Sequence, residues 1–260
     1  MILRVGYPKL PFHSYVHSLL HAIYGIRLCL FLVAREAFIP YFRQIRERIE
    51  TNAPPSRLQR TPFIISCGFL YAFMSCPLLI TASLPAFPVG TKMYKIMNIL
   101  LSITSFGLAL QIIGDTHKSF GKLRGEGLIK TGRYHLNIFC FVLILGIFFV
   151  IFYLTPSYHF SGVYSVFRHP NYTGELILWT FSTLTALFAA IGGCIANGHK
   201  WSLGLISLMF ASILGNLGIV FILCQATNGL EKRQAEKYGD EFAKWSKSTT
   251  AGLTLSRWRK

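Results

Sequence analysis

Apolar residues arrive in long runs, and polar residues are confined to the short stretches between them. About 20 consecutive apolar residues are needed for a helix to cross roughly 30 Å of hydrocarbon. Leu19 to Phe38, Phe63 to Leu84, Ile96 to Ile113, Glu175 to Ala196 and Trp201 to Cys224 each meet that length. Arg27 interrupts the first run and Arg35-Glu36 close it. A mid-span arginine either faces the bundle interior or a polar cavity, or snorkels to the interface. Pro77 predicts a kink in the second span, and Pro85 and Pro88 stop it. The pattern predicts an all-α polytopic membrane helical bundle of about five core spans plus one inserted apolar segment. It forms a single integral membrane domain over residues 1–260. The tail, 231–260, reads as a charged amphipathic helix with Phe242 and Trp245 on its apolar side, packed over a site or lying on the interface.

Leu136 to Thr155 is also long enough to span, but its place is awkward. With five spans, the Arg35–Arg60 loop, the Asp115–Lys130 loop, Arg168-His169 and the basic tail share one side, as the positive-inside tendency requires. A sixth crossing would separate the Asp115 loop from Arg168-His169. Removing residues 133–162 joins Leu-Ile-Lys-Thr-Gly directly to Val-Tyr-Ser-Val-Phe-Arg-His-Pro in frame. The block therefore reads as an insertion, an untranslated intron retained in the gene. Gly132 can be encoded with a GT donor, and Ser161-Gly162 with a CAG acceptor. The rival is a re-entrant or peripheral hairpin whose backbone is covered by protein. Asn171-Tyr172-Thr173 is a glycosylation sequon, and a glycan there would place the motif in the lumen.

Composition narrows the class. Of 260 residues, 52% are hydrophobic and 14% charged, too apolar for a soluble domain of this size. The formal charge of +16 sits in the inter-span segments, where it meets an anionic membrane leaflet. No basic face with interleaved aromatics exists outside the loops, which excludes nucleic acid as a partner. All six cysteines fall inside apolar runs without metal-like pairing, so they read as small core residues, with no metal site. The first apolar run continues as a span and has no small-residue cleavage site.

The chemistry concentrates at Arg168-His169-Pro170-Asn171-Tyr172-Thr173-Gly174-Glu175, a polar cluster running straight into an apolar span that reaches Ala196. Ionisable groups at the lip of a hydrocarbon-embedded helix are costly unless something uses them. An ordinary helix start touching headgroups needs neither the Asn-Tyr-x-Gly-Glu pattern nor a buried Glu175. Upstream, Gly114 to Gly127 reads as a basic, Gly-rich loop whose backbone approaches an anionic cofactor, or equally as a solvated linker.

These residues resemble a superfamily containing the steroid 5-alpha-reductase C-terminal domain, the sterol reductases, the isoprenylcysteine carboxyl methyltransferases and uncharacterised membrane relatives. Arg-His-Pro-x-Tyr-x-Gly is shared by several branches. Asn171, and Glu175 followed by Trp179, look like the reductase side. Tyr24-Gly25-Ile26-Arg27-Leu28, Arg35-Glu36 and Asp115 resemble the uncharacterised relatives. The tail departs from the reductases: Leu230-Glu231-Lys232-Arg233 through Phe242 resembles the methyltransferase ending, with Glu231 alone where paired acids are usual.

The resemblance implies one of two chemistries. The first is an NADPH-dependent reductase of a lipophilic, steroid-like or isoprenoid double bond. Asp115, Asn171 and Glu175 would then hydrogen-bond nicotinamide and ribose, while Arg168, Lys122 and Arg124 meet the phosphates. The catalytic positions would be Glu175 and Tyr172, which places the cofactor or donates a proton. The second is an S-adenosylmethionine-dependent methyltransferase of a prenylated cysteine carboxylate or lipid. There Arg168 would bind the carboxylate, His169 and Tyr172 would line the cofactor, and Glu231 would hold its amino or ribose groups. A third reading is a non-catalytic membrane protein that keeps the motif for packing. The expected partners are a lipid-soluble small molecule and membrane lipids. The expected location is the endoplasmic-reticulum membrane, with motif and C-terminus cytosolic.

Overall fold

The computed structural model describes residues 11–54, 56–123, 163–196, 200–249 and 253. Six α-helices appear there: α1 (Phe12–Phe38), α2 (Pro40–Asn52), α3 (Arg57–Ser83), α4 (Lys92–Leu123), α5 (Pro170–Ala196) and α6 (Leu203–Ser248). A 3₁₀ turn, Val163–Ser165, precedes α5. All but α2 are long and apolar enough to cross a bilayer, which gives the expected all-α membrane architecture, with five spans among the described residues. The block 133–162 lies outside the described residues.

Local sequence explains the helix ends. Ile39 is extended (φ −117°, ψ 104°) and Pro40 opens α2 at its first position. Proline disfavours helix in the residue before it, yet its missing N–H is harmless in a first turn. Within α2, Arg46 Nε donates to Glu50 at 2.9 Å across one turn, and Arg46 also pairs with Glu36. α2 ends before Pro54, and no residue in it is buried. Gly90 (φ 87°) makes the left-handed turn that leads into α4. Pro62 and Pro77 are both accommodated inside α3.

Two expectations of the sequence are corrected and a third is extended. The segment 40–52 is a helix and not a loop. The Gly-rich segment after Ile113 continues α4 as helix through Leu123. The charged tail is helical as expected, continuing α6 past Cys224 to Gly239, where φ 49° and ψ −123° kink the line, and Phe242 and Trp245 beyond the kink are buried. In both α4 and α6, buried tertiary partners outweigh the modest intrinsic cost of glycine or polar residues within a helix.

The chain divides into two compact units. The first comprises Met1–Ala22, Pro54–Leu108 and Glu175–Leu223. Its apolar core is Ile80, Leu84, Phe87, Met97, Ala186, Ala189, Ala190 and Leu205. Small residues allow close helix approach, the device by which membrane helices gain contact where lipid offers no hydrophobic drive. A Cβ on Gly215 of α6 would lie 2.7 Å from the backbone of Phe73 and Met74 in α3.

The first unit also encloses a polar chain. His17 and His21 are one turn apart on α1, and Ser182 Oγ lies 2.8 Å from His17 Nε2 and 3.1 Å from His21 Nε2. Thr81 Oγ1 lies 3.1 Å from His17 Nδ1, and His21 Nδ1 lies 2.9 Å from the His17 carbonyl. A carbonyl only accepts, so His21 carries its proton on Nδ1. Ser182 must then donate to His21 Nε2 and accept from His17 Nε2; the Thr81 hydroxyl, which also lies 3.2 Å from the Pro77 and Leu78 carbonyls, turns its one proton to His17 Nδ1. One oxygen fixes both tautomers.

The second unit comprises Ile23–Ala53, Ala109–Gly174 and Cys224–Lys260. Tyr164, Phe242 and Trp245 form its buried aromatic cluster. Tyr164 donates its hydroxyl to the Gly114 carbonyl at 3.2 Å. This cluster holds the segment after Gly239 in the unit.

Candidate functional site

The polar residues of the motif from Arg168 to Thr173 gather in the second unit, built on α1, α4, the start of α5 and the later part of α6. Pro170 opens α5, so Arg168 and His169 sit immediately before the helix and Asn171, Tyr172 and Thr173 in its first turn. Thr173 N–H donates to the His169 carbonyl at 2.9 Å, closing that turn.

One network centres on Asp115 of α4. Arg27 Nη1 donates to its Oδ2 at 2.9 Å, and Asn171 Nδ2 donates to its Oδ1 at 3.2 Å. Both charged side chains are largely buried, at 9% and 12% exposure. A buried ion pair is tolerable only when its remaining lone pairs are also used, as Asn171 uses Oδ1 here. Gly114 makes this approach feasible, because a Cβ there would lie 2.6 Å from the Asn171 backbone nitrogen. Glycine at 114 thus serves close packing inside a helix, not a loop.

A second network centres on Glu231, which lies beyond Cys224, the end of the apolar segment of α6. Its Oε1 accepts from Arg168 Nε at 2.8 Å and faces His169 Nε2 at 3.2 Å. Arg168 Nη1 donates to the Thr249 carbonyl at 2.9 Å, and Thr173 donates its hydroxyl to the Leu253 carbonyl at 2.9 Å. Burial raises the Glu231 carboxyl, but the hydrogen bonds from His169 and Arg168 and their charges outweigh it and bring it down to about 2. Burial lowers His169 below its ordinary value, against the opposing pull of Glu231, and Lys118 and Arg168 lower it further. His169 is therefore neutral at neutral pH and donates from Nε2 to the carboxylate.

Tyr172 stands beside one cation and one imidazole. Its ring stacks with His169 at 6.0 Å between centroids, and Lys118 Nζ lies 5.9 Å from its centre. His117 packs on Tyr164 at 5.2 Å.

Of the sequence-predicted positions, Asp115, Arg168, His169, Asn171, Tyr172 and Glu231 fall in this unit. Glu175 follows Asn171 by one turn of α5, is half-buried, and begins the first unit's share of the helix. Lys122 lies on the last turn of α4 with its side chain outside the described residues, as is all of Arg124. Sequence reasoning missed Lys118, Tyr164 and the carbonyls of Thr249 and Leu253. No signal marks a backbone carbonyl in a sequence. The pairing of Arg27 with Asp115 was half visible, since a mid-span arginine calls for an interior partner. The described cysteines are all free, and no group of three metal-ligating side chains occurs among the described residues.

Compared with known proteins, the chain matches a family model described as "Protein of unknown function (DUF1295)" over residues 5–249. No curated protein and no solved structure matches it. This helical membrane protein, with five spans among its described residues, belongs to the DUF1295 family.

Proposed function

We propose that the protein is a membrane-embedded NADPH-dependent reductase of a lipophilic carbon–carbon double bond. The observation carrying this reading is the Asp115–Asn171 hydrogen bond, with Glu175 one turn further along the same helix. The donor set fits a nicotinamide dinucleotide: carboxylate and amide groups suit its carboxamide and ribose, and a cation-rich surround suits its phosphates. When bound, such a cofactor supplies a hydride. On this reading Asp115 and Asn171 hold each other in register to bind and orient the nicotinamide. Tyr172, set between His169 and Lys118, holds the proton that the substrate takes up on reduction. Arg168, anchored by Glu231 and the Thr249 carbonyl, positions the helix start and the tail.

A second reading rests on Glu231. Its contacts with Arg168 and His169 join the methyltransferase-like tail to the motif, which favours S-adenosylmethionine-dependent methyl transfer to a lipid or prenylated carboxylate. Titrating NADPH and S-adenosylmethionine separately into detergent-purified protein distinguishes the two. The reductase reading expects saturable NADPH binding that Asn171→Ala weakens. Saturable binding of S-adenosylmethionine alone would refute it.

A further inference from the structure

Arg27 lies within a membrane-spanning helix, at 9% exposure, and only part of its guanidinium is engaged. Nη1 donates to Asp115, whereas Nε and Nη2 are buried with no acceptor among the described residues. Those two nitrogens form the side-on fork with which a guanidinium grips two oxygens of one anion in parallel.

Arg35, two turns further along α1, repeats the situation: its Nε is buried and has no acceptor among the described residues. The two guanidinium carbons lie 4.7 and 5.6 Å from the ring centre of Phe31, which stands between them in sequence. Phe42 closes on Arg35 at 4.2 Å. Two cations therefore share one aromatic floor. Asp115 cannot neutralise both, because Arg27 takes Oδ2 and Asn171 takes Oδ1. Surplus positive charge with idle donors, in a span, is unfavourable unless an anion answers it.

We propose that Arg27 and Arg35 bind a phosphate group of a ligand, the Arg27 fork taking two of its oxygens and Arg35 Nε a third. Three donors from two guanidinium groups suit a tetrahedral oxyanion better than a carboxylate, which offers two oxygens in one plane. The phosphate belongs either to a nucleotide cofactor or to a lipid headgroup. The site stands on the Arg27–Phe31–Arg35 arrangement and not on the choice between hydride and methyl transfer.

The test uses the full chain in a phosphorus-free detergent, with thermal unfolding as the readout. Inorganic pyrophosphate should raise the melting temperature saturably, and acetate at equal ionic strength should not. Arg27→Lys keeps a cation for Asp115 but lacks the fork, and should weaken pyrophosphate by at least about tenfold. Arg35→Gln, nearer the helix end, should do the same and serves if the first variant fails to fold. NADPH and dihexanoyl phosphatidic acid are then used to displace pyrophosphate. Displacement by NADPH identifies a nucleotide. Displacement by the lipid, with no NADPH binding at all, keeps the phosphate site and removes the reductase reading. NADPH binding that neither variant alters keeps the reductase reading and overturns the phosphate site. Unchanged pyrophosphate binding in both variants, equal binding of acetate, no saturable phosphate binding, or displacement by neither probe also overturns it.

Discussion

Asn171 lies against Gly114 so closely that a single added methyl at 114 would fall 2.6 Å from its backbone nitrogen. The contact is with backbone, so no rotamer change relieves it. Gly114→Ala should therefore force α4 and the start of α5 apart, at about 1–3 kcal/mol, the usual range for overpacking. Thermal unfolding in detergent checks the loss, and cofactor titration should show binding falling with it. An unaltered melting temperature would mean that the two segments are not in this register.

Asp115→Asn removes the carboxylate from the Arg27 pair while keeping much of the shape. Breaking one side of a buried ion pair costs about 3–5 kcal/mol, because the remaining charge stays buried. Replacing both, as Arg27→Met with Asp115→Leu, should cost clearly less than Asp115→Asn alone. A double-mutant cycle measured by unfolding supplies the coupling.

Acidification should destabilise the protein in two separable windows. His169 is depressed in the folded protein, so the unfolded chain binds the proton first; its contribution is intact above about 6.5 and is lost as pH falls through the folded value. Glu231 is also depressed, to about 2, so its contribution is present above the ordinary carboxylate value and lost between there and about 2. His169→Gln should flatten the dependence of melting temperature on pH in the upper window and also narrow the lower one, since His169 helps hold Glu231 down. A slope equal to that of the wild type between pH 7.5 and 5 would contradict the assignment.

Ser182→Ala should leave His17 Nε2 without an acceptor and His21 Nε2 without a donor, in a fully buried setting. Each unsatisfied group costs about 1–3 kcal/mol. Nitrogen NMR of labelled histidine should find His21 protonated on Nδ1 and His17 on Nε2 in the wild type. The opposite tautomers would break the donor chain deduced from the His17 carbonyl.

Much of this was legible before any coordinates. The five spans follow from apolar run length, and the interior placement of Arg27 follows from the cost of charge in hydrocarbon. The extension of α4 past Gly114 was not legible. Glycine and basic residues argue locally for a loop, and the reason for Gly114 appears only once Asn171 is set beside it. The helix α2 carries signals in its sequence, Pro40 at its start and the Arg46–Glu50 spacing. Another such signal is His13, His17 and His21, spaced four apart along one face of α1 and lying partly ahead of the expected start of that span. Within the site, the motif and Glu231 were identifiable, but the Thr249 and Leu253 oxygens that accept from Arg168 and Thr173 were not. Both are main-chain oxygens, to which every residue type contributes alike.

The bond from Arg168 to the Thr249 carbonyl joins positions 81 residues apart. During synthesis, the ribosome must therefore deliver all of α6 and the turn at Gly239 before Arg168 can meet all its partners. A chain that ends within α6 beyond Glu231 keeps the carboxylate partner of Arg168 and His169 but lacks the Thr249 carbonyl. The polar junction is therefore complete only in a chain that reaches Thr249.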